Sequence, residues 1–79
     1  MVDYEKIVKF FLQEYILDEN YEVKINKNKE NITITVVLDK KDMGKLIGKN
    51  GNIITSLRNL INSISNKDKK NVKILVKNN

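Results

Sequence analysis

The chain has 79 residues, 41% of them apolar and 32% charged, and carries a formal net charge of +5 at pH 7. At roughly 150 residues per domain this is one domain, and a domain so small buries only about 60% of the surface its unfolded chain exposes, so function is expected on its surface rather than in a deep catalytic cavity. Cysteine and histidine are both absent, which removes disulfides, thiolate nucleophiles, imidazole bases and the usual zinc ligands, and makes a non-enzymatic protein without metal or cofactor the expectation.

From Asp3, a candidate N-cap, to about Ile16, apolar residues at Tyr4, Ile7, Val8, Phe11, Leu12 and Tyr15 recur at helical spacing. Phe10 and Phe11 are neighbours and cannot both point inward, so one of them is available to an interface. Tyr21, Val23 and Ile25, then Ile32, Ile34, Val36 and Leu38, alternate with mostly polar residues as two half-buried strands. The turn-forming stretch from Asn26 to Asn31 between them predicts an antiparallel hairpin. Asp39 can cap a short helix bearing Met43, Leu46 and Ile47, which Gly48 ends. After Gly51 the series Ile53, Ile54, Leu57, Leu60, Ile61, Ile64 is the strongest helical signal in the chain. Polar residues 66–71 lead into a last strand with Val72, Ile74 and Val76, and the crossover through two helices predicts that it runs parallel to the second strand. The expected fold is therefore α+β, in the order αββααβ, with a three-stranded sheet covered by helices on one face. No apolar run approaches the roughly 20 residues of a membrane span, and the N-terminus lacks the basic start and apolar stretch of a signal peptide, so a cytoplasmic location is expected.

Residues 1–38 hold five lysines against seven acids, whereas residues 39–79 hold ten basic residues against three acids. Lysines keep small proteins soluble, but this segregation makes the second half the candidate anion-facing half. All three glycines, Gly44, Gly48 and Gly51, fall inside eight residues of that half. A glycine pair between two helices, framing Lys49 and Asn50 and followed by an amphipathic helix, has the parts of a phosphate-approach loop: the backbone can come close to a sugar-phosphate chain, and the helix start favours an anion. The plainer alternative is a helix corner that uses glycine for its dihedral freedom. Neither G-x-x-x-x-G-K-[ST] nor G-x-G-x-x-G is present, so nucleotide hydrolysis and dinucleotide binding have no support.

The segment Met43-Gly44-Lys45-Leu46-Ile47-Gly48-Lys49-Asn50-Gly51-Asn52-Ile53-Ile54-Thr55-Ser56-Leu57-Arg58 resembles the G-x-[VIL]-I-G-x-x-G signature of KH domains with the start of the helix that follows it. The element order is similar to the type II arrangement, and the chain resembles in particular the bacterial KhpA family. Asn52 and Ile54 stand where many relatives carry a basic or small residue. The resemblance implies a non-enzymatic domain spanning 1–79 that binds single-stranded RNA through its GXXG loop. It also implies an RNA chaperone or post-transcriptional regulator linked to cell elongation and division, pairing with itself and with a KhpB (EloR/Jag)-like KH protein.

On that basis Gly48 and Gly51 let the backbone pass the phosphates, and Lys49 and Asn50 point at them as a charge and a hydrogen-bond donor. Lys45 and Arg58 are candidate flanking phosphate contacts or solvated helix residues. Ile47 and Ile54, with Leu46, Val36 and Leu38, are candidates for an apolar groove beside the loop, most of them serving as core. The five aromatic residues all lie in the first 21 positions, so the stacking platforms of RRM and OB-type domains have no counterpart here. A protein-interaction module on a KH scaffold, with incidental RNA contact, is the competing expectation.

Overall fold

A computed structural model describes residues 2–16, 21–48 and 51–78. Its elements are α1 (Tyr4–Leu12), β1 (Glu22–Asn28), β2 (Asn31–Leu38), α2 (Lys40–Ile47), α3 (Asn52–Asp68) and β3 (Asn71–Asn78), in the order αββααβ. The sheet runs β1-β2-β3, with β1 antiparallel and β3 parallel to β2, as the pattern predicts. No helix among the described residues is long and apolar enough to cross a membrane.

The central strand β2 is paired on both sides. Its period of two sends Ile32, Ile34, Val36 and Leu38 to one face, each no more than 5% exposed, while Thr33, Thr35 and Val37 stay half-buried on the other. Through the register, Val23 and Ile25 of β1 and Ile74 and Val76 of β3 join the inward face. Tyr4, Val8 and Leu12 of α1, Leu46 of α2, and Ile54, Leu57 and Ile61 of α3 complete the core from that side. Leu12, Leu46 and Leu57 are fully enclosed, and each contributes about 1.5–3 kcal/mol by leaving water.

Element ends depart from the sequence pattern in two places. Helix α1 starts as expected, with the Lys6 amide donating to the Asp3 carboxylate at 3.1 Å. Its regular part stops at Leu12, however, because Glu14 and Tyr15 donate to Phe11 and Leu12 over three residues rather than four. This tighter winding carries Ile16 into the core at 2% exposure and leaves Tyr15 39% exposed. The hairpin is also tighter than the polar run suggests. Strand pairing continues to Asn28 opposite Asn31, leaving a two-residue turn with Lys29 at φ 58°. Polar side chains there mark a solvated hairpin tip, since ladder hydrogen bonds use only the backbone.

Helix α3 closes on Lys69 at φ 57°, where the Lys70 amide returns to the Ser65 carbonyl at 3.0 Å, so β3 begins directly at Asn71. The helix end is tied to α1 by the buried Tyr4 hydroxyl, which donates to Asp68 Oδ2 at 2.9 Å. Burial first, then the hydrogen bond and charge of Asp68, raise the Tyr4 phenol above its ordinary value of 10.0. A raised phenol contributes stability that is fully present below pH 10 and is lost as pH climbs through the folded value. Replacing Tyr4→Phe is expected to cost about 1 kcal/mol at pH 7, a fall in Tm of about 4–8 °C. In thermal melts the gap between the two proteins should narrow above pH 10; a gap that does not change with pH would remove the hydrogen bond from the account.

Candidate nucleic-acid interface

Helix α2 ends where the Gly48 amide donates to the Gly44 carbonyl at 2.9 Å. Gly48 then takes φ 66° and ψ −170°, a region open in practice only to glycine. A Cβ at this position would lie 2.9 Å from both Cγ1 and Cδ1 of Ile53. Gly51, at the N-cap of α3, has φ 70° and ψ 16° and would meet nothing within 4 Å. The two glycines therefore do different work. Gly48 packs the corner against α3, and Gly51 places no side chain of its own over the start of that helix. Gly44, on the exposed side of α2, likewise has nothing within 4 Å of a would-be Cβ, which extends the bare strip one turn back.

The electrostatics of this helix start differ from the other two. Helices α1 and α2 each carry a first-turn acid, Glu5 and Asp42, whereas α3 has neither an acid in its first turn nor a side-chain cap. Its first amides and the positive end of its dipole can thus serve an external anion.

The expected site residues separate when placed on this frame. Gly48 and Gly51 frame the loop; Lys49 and Asn50 lie outside the described residues. Ile47 is 41% exposed beside Gly48, whereas Ile54 is 6% exposed and Leu46, Val36 and Leu38 are fully enclosed. Of the five groove candidates, Ile47 alone offers apolar surface, and Ile54 anchors the first turn of α3 in the core. The Lys45 ammonium is 3.6 Å from Oδ1 of Asp42, a carboxylate with 0% exposure whose two oxygens accept no hydrogen bond from the described residues. Lys45 thus neutralises a buried charge as well as facing solvent, and its removal would leave that charge uncompensated. Arg58 reaches from α3 to the edge strand, its Nη2 3.5 Å from the Ile74 carbonyl, at the long limit of a hydrogen bond.

That contact exposes a part of the surface the glycine motif does not indicate. Strand β3 is an edge strand, and with Arg58 and Asn62 of α3 it borders a depression of about 290 Å³, while its Lys73 and Leu75 alternate to the sheet face opposite the helices. The alternation of Lys73 and Lys77 with Val72, Ile74 and Val76 carries this signal, once the last strand is placed at an edge.

On the α1 side lies a different surface. Phe10, 66% exposed, and Leu60 line an apolar groove of about 650 Å³ together with Val2, Ile7, Phe11 and Tyr15. Phe11 turns half inward against the core, its ring 5.2 Å from that of Tyr15, and Phe10 is the neighbour left outside.

The difference between the glycines is measurable. Gly48→Ala is expected to cost about 2–3 kcal/mol from backbone strain and the Ile53 contact, and Gly51→Ala about 1 kcal/mol from its left-handed backbone alone. Urea unfolding of the two variants checks the order; equal losses would mean that Ile53 does not brace the corner.

The family model for the KH domain of KhpA/KhpB matches residues 5–76, from α1 through β3. No curated protein matches the chain. The match covers the glycine corner, the buried faces of β2 and α3 and the parallel β3, so the chain belongs to the KhpA/KhpB family of KH domains.

Proposed function

We propose that this chain is a single, non-enzymatic KH domain that binds single-stranded RNA across the Gly48–Gly51 loop in the cytoplasm, without a cofactor. Its role is that of an RNA chaperone or post-transcriptional regulator, linked to cell elongation and division. The observation that carries the reading is the start of α3: two glycines at positive φ frame the loop that leads into a 17-residue helix with no first-turn acid. Phosphates approach the bare backbone at Gly51, and Lys49 and Asn50 supply charge and a donor. Ile47 offers apolar contact to a base, and Lys45 and Arg58 flank the strand. Paired RNA binds less well, because its base edges are occupied.

The test reverses the loop with Lys49→Asp and Asn50→Asp. Both side chains belong to a loop between glycines, so the fold should hold within about 0.5 kcal/mol. Fluorescence anisotropy should show single-stranded RNA affinity falling at least about tenfold, or about 1.4 kcal/mol. Unchanged affinity with an intact circular dichroism spectrum would place RNA binding elsewhere or nowhere.

The apolar groove on α1 favours a second reading, a protein-interaction module whose occupant is a second copy of the chain or a KhpB (EloR/Jag)-like KH protein. Leu60 on one flank of α3 and Arg58 on the other are two residues, or about 200°, apart, so both surfaces can be used at once. At about 100 μM, well above a micromolar dissociation constant, sedimentation should report a dimer, and Phe10→Asp should return it to a monomer without lowering Tm. A monomer before substitution would remove self-association.

A further inference from the structure

The ion pairs Lys9–Glu5 and Lys24–Glu22 each join two exposed side chains, whereas the Lys45–Asp42 pair joins a lysine that is 56% exposed to a carboxylate at 0%. In the first two pairs either partner can let go, because water takes up the charge that is left. Asp42 has no such recourse. Neither of its oxygens accepts a hydrogen bond from the described residues, so a departing Lys45 would strand a desolvated charge. Burial also keeps salt from loosening the pair, since ions screen exposed charges far more than enclosed ones. Of the three acids in residues 39–79, Asp42 is the nearest in the chain to the Gly48–Gly51 loop, and Lys45 stands about one turn ahead of that loop on α2.

We infer that Asp42 limits RNA affinity by withholding Lys45 from the phosphate chain, so that a lysine beside the loop adds no counterion-releasing contact. The inference rests on the reading above, in which the strand passes the Gly48–Gly51 loop. A phosphate that reached the Lys45 ammonium would either draw it off the carboxylate or come to lie close to that carboxylate itself, and each alternative opposes the contact. Seen from a few ångströms further out, the pair carries no net charge. The exposure of the Lys45 side chain is therefore no measure of its availability to an anion. Binding is weaker, and less sensitive to salt, than the lysines around the loop imply. Released from its partner, Lys45 would add one phosphate contact, a change of about 0.7 in the slope of log K against log salt for a single strand.

The test titrates fluorescein-labelled random-sequence single-stranded RNA, between about 50 and 200 mM salt, against the parent and four variants. These are Asp42→Asn, Asp42→Asn with Lys45→Ala, Lys45→Ala alone, and the loop variant Lys49→Asp with Asn50→Asp. Asparagine keeps the shape of Asp42 and removes its charge. Asp42→Asn should bind at least about threefold more tightly at the low-salt end, with a slope steeper by about 0.7, and adding Lys45→Ala should return both to the parent values. A merely structural role for Asp42 would move Tm without steepening the slope. Lys45→Ala alone, which leaves Asp42 in place, should lower Tm yet keep the parent's slope. A slope shallower by about 0.7 in that variant would put Lys45 on a phosphate already, and would overturn the inference even if Asp42→Asn failed to fold. Unchanged or weakened binding by Asp42→Asn also overturns it, as does a gain that survives the loss of Lys45, which would belong to the carboxylate's own charge. Affinity that ignores Asp42 but falls in the loop variant leaves the loop reading standing without the inference. A Lys45-dependent gain in Asp42→Asn with no loss in the loop variant keeps the withheld lysine and removes the loop.

Discussion

The corner between α2 and α3 depends on how closely the Gly48 backbone lies to Ile53. At φ 66° and ψ −170° any side chain on residue 48 would be strained, and its first carbon would lie 2.9 Å from the Ile53 side chain. Ile53 is itself packed on the core, so the corner is braced from below. The direction of α3 follows from this contact together with the inward row Ile54, Leu57 and Ile61. Because the helix is held at that angle, Asn52 and Thr55 of its first turn face solvent while its last turn meets α1 through the Tyr4–Asp68 hydrogen bond. The loop site thus inherits its geometry from buried aliphatic packing, and the residues that would touch a ligand need not supply it.

Charge is arranged by the same packing. Acids gather on α1, at Asp3, Glu5 and Glu14, whereas the segment from α3 through β3 carries six cations and one acid, Asp68, which accepts from Tyr4. Interactions between exposed charges fade beyond about 8–10 Å at physiological salt, so what matters is the local excess along β3 and beside the loop. The buried Asp42 is the exception within the basic half. With no hydrogen bond to its oxygens among the described residues, it is paired with the Lys45 ammonium at 3.6 Å, so one lysine of the candidate interface is committed to the protein as well.

Helix α3 divides two surfaces of opposite character. Leu60 looks toward the apolar groove of α1, and Arg58 and Asn62 look toward the edge of β3. An edge strand presents unpaired backbone groups that invite another strand, and outward lysines such as Lys73 and Lys77 oppose that pairing. Both lysines lie on the sheet face opposite the helices, so protection of the edge also makes that face basic.

The sequence alone determined the α+β order, the inward faces of β2 and α3 and the location of the glycine corner, because periodicity and glycine placement are local properties that survive in one dimension. It also determined that Phe10 and Phe11 must part, since neighbours on a helix point about 100° apart. Only the tertiary structure decided which of them was left outside, because that depends on where α3 and the sheet lie relative to α1. The division of labour between Gly48 and Gly51 was equally beyond the sequence: both are glycines in a loop motif, and only the position of Ile53 distinguishes them. Strand β3 entered the candidate site for the same reason. Its alternation marks a strand, but its place at the sheet edge, with Arg58 reaching the Ile74 carbonyl, arises from a pairing with β2 between residues 40 apart in the chain, such as Ile34 and Ile74.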